Sequence, residues 1–456
     1  MTEPAVSPPL LLRAALLIDG TGATVEHVAV LVVGDLVEQV GAQQDVVPPD
    51  GADVLDLGDA TLLPGLIDSH VHLTFPGTPE LFTQVLDDDR ATMLAQGRSA
   101  AAELVRAGVT TVRDLGALGD PLFRLRREIE AGDTPGPSIV ASTAQLTSPD
   151  GPNAVLGGGV ADVGAALDRI DADVDRGATV VKVIATGSVT DPRADPTVPV
   201  FDDATLRGIV EGAHVRGLRV AAHAHGTAGI TQAVRCGVDS IEHASFLAHV
   251  GCVELGPGVV SRPALPSPTA DALSPWPDGE TLAVLADRRP WVVPTLTTVV
   301  AHTLFGPGTA AAVRSFAHRR EIAGLMLERG VPLVAGTDGG TPGSPHVGLV
   351  VEIEQLHASG MTALEALGAA TGGAAACLGL EDRGVVAAGR RADLIAVPGD
   401  PRGDLGVLRL PSVVVQGGRV VHRIEEAVDD RRRGRPPRPP GTARQGGSVG
   451  VDMHQW

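Results

Sequence analysis

His70 and His72 stand two apart in PGLIDSHVHL, and on an extended strand that spacing puts both imidazoles on one face, where they can share an ion. The pair alone is weak evidence, because two histidines on a strand are often merely packed. The spacing recurs with His223 and His225 in VAAHAHG, His243 follows in SIEHAS, and Asp338 closes VPLVAGTD. Lys182 occupies the middle of the apolar run ATVVKVIATG, where desolvation would pull its amine below the ordinary ~10.4. An ammonium holds no metal. If the amine captured carbon dioxide it would become a carbamate, an anion whose two oxygens can bridge two cations. The plain alternative is a lysine that runs outward between helices.

Chemistry at these positions needs strands to carry it. Eight apolar runs read as strands: GLIDSHVHL, GVTTVRDLG, PSIVASTAQLT, ATVVKVIATG, LRVAAHAHG, VDSIEHASF, WVVPTLTTV and VPLVAGTDGG. Eight is the number for a (β/α)8 TIM barrel, whose active sites lie at the C-terminal ends of the strands. Strands one, four, five, six and eight each carry a metal-ligand type at or near that end. Between the strands lie helical segments such as ATMLAQGRSAAAELVRAG, which ends near glycine as helices often do. The barrel is expected over residues 64–380. Strand-and-turn text over residues 1–63 and 381–425 predicts a small β-sandwich domain built from both chain ends. The Pro/Gly/Ser-rich stretch from Gly251 to Pro277 reads as a long loop after strand six, facing substrate. Residues 426–456, mostly Arg, Pro and Gly, are expected to be a disordered tail.

Composition narrows the function. The 456 residues are 43% apolar and 20% charged, which suits a folded α/β protein, and with 2% aromatics and no Tyr the core must be Ala, Val and Leu. A formal charge of −19 disfavours nucleic acid and favours a small-molecule substrate. Cys236, Cys252 and Cys377 form no CxxC pair, so neither a disulfide framework nor a cysteine zinc site is signalled. No run reaches the ~18 apolar residues that span a bilayer, and the acidic start is unlike a signal peptide. The expectation is a cytoplasmic enzyme with no membrane or nucleic-acid partner; a homo-oligomer is left open.

Taken together, PGLIDSHVH, GVTTVRDLG, VVKVIATG, VAAHAHG, SIEHASF, AGTDGG and the closing GMTALEALGAATGGAAACLGLEDRGVVAAGRRADLIAVPGDP resemble the amidohydrolase superfamily. The resemblance covers nearly the whole chain except the tail and points to the metal-dependent Xaa-Pro dipeptidase-like and imidazolonepropionase-like branch. It implies a binuclear site, usually zinc. His70, His72 and Asp338 would hold one ion, His223 and His243 the other, with carboxylated Lys182 and a hydroxide bridging them. Imidazolonepropionase-like members use one ion and lack the strand-four lysine, so Lys182 favours two. The implied activity is hydrolysis of C–N bonds, amide or peptide, in small molecules such as dipeptides or N-acyl amino acids, with Asp338 moving the proton or serving as a ligand only. His225 would donate to the tetrahedral oxyanion or simply pack behind the ligands. Alternatives are a lactone, cyclic amide or ester substrate, or a non-catalytic scaffold.

Other polar residues have plainer expectations. Arg113 and Asp114 alternate in direction, with a structural salt bridge favoured over substrate contact, and Glu242, beside His243, should point to the helix layer. His214, His249, His302, His318, His346, His357 and His422 are expected to hold no metal. Arg193 and Arg262 are candidates to clamp a substrate carboxylate. Relatives commonly carry a histidine in the glycine stretch after strand three, where this chain has TSPDGPNAVLGGG, and several place Tyr where His225 stands. Those departures bear on the substrate and leave the metal ligands in place.

Overall fold

The structure is a computed structural model that describes residues 8–142, 144–188, 194–247, 252–253, 262–263, 279–298 and 310–424. Strand Leu10–Ile18, a run of Leu, Ala and Ile broken by Arg13, is buried along most of its length because it has partners on both edges. On one side it pairs antiparallel with Thr24–Val33, which pairs with Leu36–Ala42. On the other it runs parallel to Asp53–Asp56 and then to Thr61–Pro64. Thr61–Pro64 pairs antiparallel with Leu394–Val397, and the sheet continues through Val413–Gln416 to Arg419–Arg423. Strands from the two ends of the sequence therefore share one hydrogen-bonded sheet of eight strands. Leu12, Leu17, Val30, Leu62, Leu394 and Val415 pack together against it.

Seven parallel strands follow the expected runs. Leu66–Val71, Val109–Asp114 and Ser138–Ala141 form one sheet; Val180–Ile184, Arg219–Gly226, Ser240–Leu247 and Trp291–Val293 form another. A parallel bridge between Leu146 and Val183 links the two. The eighth expected strand, VPLVAGTDGG, is not a ladder strand: it joins by single bridges, Leu333 to Val292 and Gly339 to Val71. The cause is where its backbone bonds go. Asp338 N–H donates to His70 O (2.7 Å) and Ser69 N–H to Ala335 O, but Ala335 N–H is diverted to Ala369 O and Ile67 N–H to Ala370 O. The described residues thus give two bridged parallel sheets, not one continuously closed barrel.

Helices lie between these strands for local reasons. Arg90–Arg106, Val163–Asp175 and Asp203–Val215 each start at an aspartate, Asp89, Asp162 and Asp202, whose side chain accepts from a backbone N–H of the first turn; such caps contribute about 1 kcal/mol each. The buried faces of the helices meet the strands in one aliphatic core that includes Leu104, Leu122, Val183, Ile209, Ile230 and Ile353. Within the expected loop after strand six, Cys252–Val253 pairs antiparallel with Arg262–Pro263; the rest of that loop and residues 426–456 lie outside the described residues.

Candidate metal centre

His70 and His72 sit at the end of strand Leu66–Val71, and Asp338 reaches them from the bridged segment alongside. Asp338 Oδ1 lies 3.3 Å from His70 Nε2 and 3.2 Å from His72 Nε2. Each ring is fixed through its other nitrogen. His72 Nδ1 donates to Gly116 O at 2.8 Å, and His70 Nδ1 lies 2.9 Å from Glu242 Oε2. Both Nε2 atoms are thereby committed to the Asp338 side. Asp68, fully buried below, accepts from His70 N–H (3.1 Å), Thr337 N–H (3.0 Å) and the Thr337 hydroxyl (2.7 Å), tying the two ligand-bearing segments together. Burial pushes the Asp68 carboxyl up to about 7.

Glu242 corrects the sequence expectation. Strict alternation would send it to the helix layer if its neighbour His243 faces inward, yet it is fully buried against His70. The alternation fails because His243, Ala244 and Phe246 have φ of 70°, 42° and 52°, and the register with strand Arg219–Gly226 slips between Ala224 and Gly226. Left-handed residues of this kind cost roughly 1–2 kcal/mol each, so surrounding contacts must hold them. Glu242 accepts from Arg113 at 2.9 Å and from the Ser240 hydroxyl at 2.7 Å, while Arg113 also donates to Ser69 O at 2.7 Å. The Arg113 salt bridge is the expected one, and burial's upward push on Glu242 is overridden by Arg113 and His70, so its carboxyl is held far below the usual range.

His223, His225 and His243 form a second corner in which the ligand atoms lie within 4.8 Å of one another, as do those of His70, His72 and Asp338 in the first. The rings of His70 and His243, with centroids 5.2 Å apart, join the corners. His243 Nδ1 bonds the Thr295 hydroxyl and His225 Nδ1 the Ser245 hydroxyl, each at 2.9 Å, while His223 uses Nε2 toward Gly187 O at 3.3 Å. That leaves Nε2 of His243 and His225, and Nδ1 of His223, as the free nitrogens. Among the described residues the buried Nε2 of His225 has no hydrogen-bond partner. Burial, with the Lys182 charge second, lowers His70 to about 4 and His223 to about 3. Burial, then the neighbouring His223, lowers His225 and His243 well below the usual range. These imidazoles are neutral at neutral pH, the form that ligates metal. Asp338 is held below the usual range: burial opposes this, but His70 and His72 outweigh it.

Lys182 lies mid-strand in Val180–Ile184, 1% exposed, with its Nζ buried and without a hydrogen-bond partner among the described residues. Burial lowers the amine to about 8 against the pull of Glu242 and Asp338. The lysine does not run outward, and its charge is felt at both His70 and His223. The six expected ligand residues are therefore brought to one place, and His225 stands beside them as a seventh.

Sequence reasoning missed several neighbours. Thr295, with φ 49°, orients His243, and Arg319, in helix Ala310–Glu328, donates to Pro294 O and to His243 O at 3.3 Å. Glu352 accepts from Thr297 N–H and hydroxyl, each at 2.7 Å. Asp68 had a signal, an acid two before a ligand; Arg319 had none. His346 touches the centre only through His72 O, at 3.1 Å. His214 pairs with Asp239 and His357 with Met361 O; His249 and His302 lie outside the described residues. So does Arg193, as does the side chain of Arg262. A cavity of about 350 Å³ lined by Gly187, Ser148, Asp150, Asp195 and Val198 shares the Gly187 wall with His223.

Residues 61–422 match the amidohydrolase family. The chain is 26% identical over 458 residues to an ochratoxinase of Aspergillus niger, covering 90% of this chain and 86% of that one. It is 30% identical over 158 residues to an imidazolonepropionase of Pseudomonas entomophila, covering 29% of this chain and 39% of that protein. A crystal structure of a Xaa-Pro dipeptidase with methionine bound in the active site superposes with a TM-score of 0.77 at 25% identity, over 90% of this chain and 99% of that one.

Proposed function

The chain belongs to the amidohydrolase family, and on that premise we propose that it is a binuclear metal-dependent hydrolase of C–N bonds, amide or peptide, in small molecules such as dipeptides or N-acyl amino acids. The observation that carries the reading is the convergence of two three-residue ligand groups beside the buried amine of Lys182. The donor set fits divalent ions, Zn²⁺ in particular: imidazoles each tied through one nitrogen, a carboxylate, and a buried amine with no hydrogen-bond partner among the described residues. In this reading the two parallel sheets and the bridged segment make one (β/α)8 barrel over residues 64–380, and residues 1–63 and 381–425 make the composite β domain. No helix among the described residues is long and apolar enough to cross a membrane, and we place the enzyme in the cytoplasm.

His70, His72 and Asp338 would hold one ion, His223 and His243 the other, and Lys182 as its carbamate would supply negative charge to both. When bound, two such ions polarise the scissile carbonyl and lower the pKa of water toward ~7, so that a nucleophile exists at neutral pH. Asp338 is ionised and makes its histidine contacts through Oδ1, so Oδ2 is the atom that takes the proton of the attacking water and returns it to the leaving amine. Neutral His225 carries one proton. If the Ser245 hydroxyl donates to Nδ1, that proton sits on the free Nε2 and is available to a developing oxyanion.

Elemental analysis of protein purified without chelator, alongside an amine-release assay on dipeptides and N-acyl amino acids, tests the proposal. Two ions per chain with amine release are expected. One ion per chain at full activity would remove Lys182 from its bridging role, and two ions with ester or lactone but no amide turnover would overturn the C–N assignment.

A further inference from the structure

We infer that Arg319 is a positioning residue for His243, pinning from outside the site the two left-handed backbone turns that aim this imidazole. The inference rests on the reading of His243 as a metal ligand, and on geometry that the reading did not use. His243 is aimed by a break in its own strand, where His243, Ala244 and Phe246 adopt positive φ. It is oriented by Thr295, itself at φ 49°. A β-branched residue in the left-handed region is a genuine outlier, and such conformations persist only where the surroundings over-determine them.

Arg319 touches both turns. One terminal nitrogen, Nη2, faces His243 O at 3.3 Å, Thr295 Oγ1 at 3.4 Å, and Pro294 O. It therefore holds the carbonyl of the ligand residue, the peptide leading into Thr295, and the hydroxyl that fixes the ligand's ring. Burial lowers the guanidinium to about 10, with Glu352 and Asp338 holding it up, so it stays cationic at neutral pH. A cation facing two carbonyls and a hydroxyl makes charge-assisted bonds that a neutral donor does not match. Because a single nitrogen makes all three contacts, lysine, with three donors on one atom, replaces part of the arrangement.

The test compares wild type, Arg319→Lys and Arg319→Met. With zinc as the probe and graded chelator, Arg319→Met should lose the second ion at about 10- to 100-fold higher free zinc than wild type while keeping the first, with Arg319→Lys in between. In metal-stripped protein, amide exchange over Ser240–Leu247 should speed up about tenfold in Arg319→Met, with Leu10–Ile18 unchanged as the internal control. Wild-type exchange over Ser240–Leu247, or loss of both ions together, would overturn the inference. Should Arg319→Met not fold, Arg319→Lys carries the same comparison, and wild-type exchange in it is equally fatal. A wild-type enzyme holding fewer than two ions would instead count against the binuclear reading, while the exchange result still decides the role of Arg319.

Discussion

The two corners of the metal centre start from the same sequence device, histidines two apart at a strand end, and are held in opposite ways. Behind His70 and His72 stand carboxylates and peptide carbonyls: Glu242, itself clamped by Arg113, Gly116 O, and Asp68 tying His70 to Thr337. Behind His223, His225 and His243 stand a carbonyl, two hydroxyls and the Arg319 cation, on backbone bent into left-handed turns. An anionic backing raises the basicity of a ligand, and a hydroxyl or cationic backing does not. The first corner should hold its ion more tightly than the second.

The largest effect is expected where the first corner also does chemistry. Asp338→Asn should lower kcat by at least ~10²-fold, the lower range for a lost general base, in a protein whose circular dichroism is unchanged. Near-normal turnover would move the proton transfer elsewhere, with His225 next. Lys182→Ala strikes the link between the corners: it should cost the second ion and most activity, with partial rescue by short carboxylic acids. Two ions on an unmodified lysine in a crystal structure of wild type would refute the bridge.

Glu242→Gln probes the asymmetry itself. Removing the negative charge behind His70 should weaken the first ion by about 10- to 100-fold and bring the two corners toward equal affinity in chelator titration; an unchanged order of ion loss would mean that the backing does not set affinity. The smallest effect concerns what the corners share, a buried carboxyl beneath each. Burial raises both Asp68 and Glu352 to about 7. A folded pKa above the unfolded one means that the stabilising contribution is complete below ~4.3 and is lost as pH rises through about 7. Glu352→Gln should therefore melt increasingly above wild type between pH 5 and pH 8, by about 1 °C for each kcal/mol recovered in a chain of this length. A melting difference independent of pH would show that Glu352 does not titrate in that window.

What the sequence disclosed followed from regular geometry. Period-two spacing found His70, His72, His223 and His225, and an apolar run around a lone cation found Lys182, because an extended strand projects its side chains predictably. The same rule misplaced Glu242, since positive φ at His243 resets the alternation. It was also silent on Arg319, because in AAAVRSFAHRREIAGLMLE nothing marks which of several basic residues reaches Pro294 and Thr295 across the fold. VPLVAGTDGG read as a strand from its apolar run, but a pattern of side chains does not reveal that Ala335 N–H, and Ile67 N–H on the strand beside it, are taken by the carbonyls at the end of helix Ala363–Ala369.

The sheet shared by the two ends of the sequence has a consequence for synthesis on the ribosome. The hydroxyl of Thr61 meets Gly399 O across 338 positions of chain, and Thr61–Pro64 finds its antiparallel partner only in Leu394–Val397. At ~5–20 residues per second, the open edge of Thr61–Pro64 waits roughly 20–70 s for that partner to be made. For that interval the nascent chain carries an unpaired strand edge beside a finished hairpin, the kind of surface that recruits foreign strands. Its masking depends on how fast the second half of the message is read.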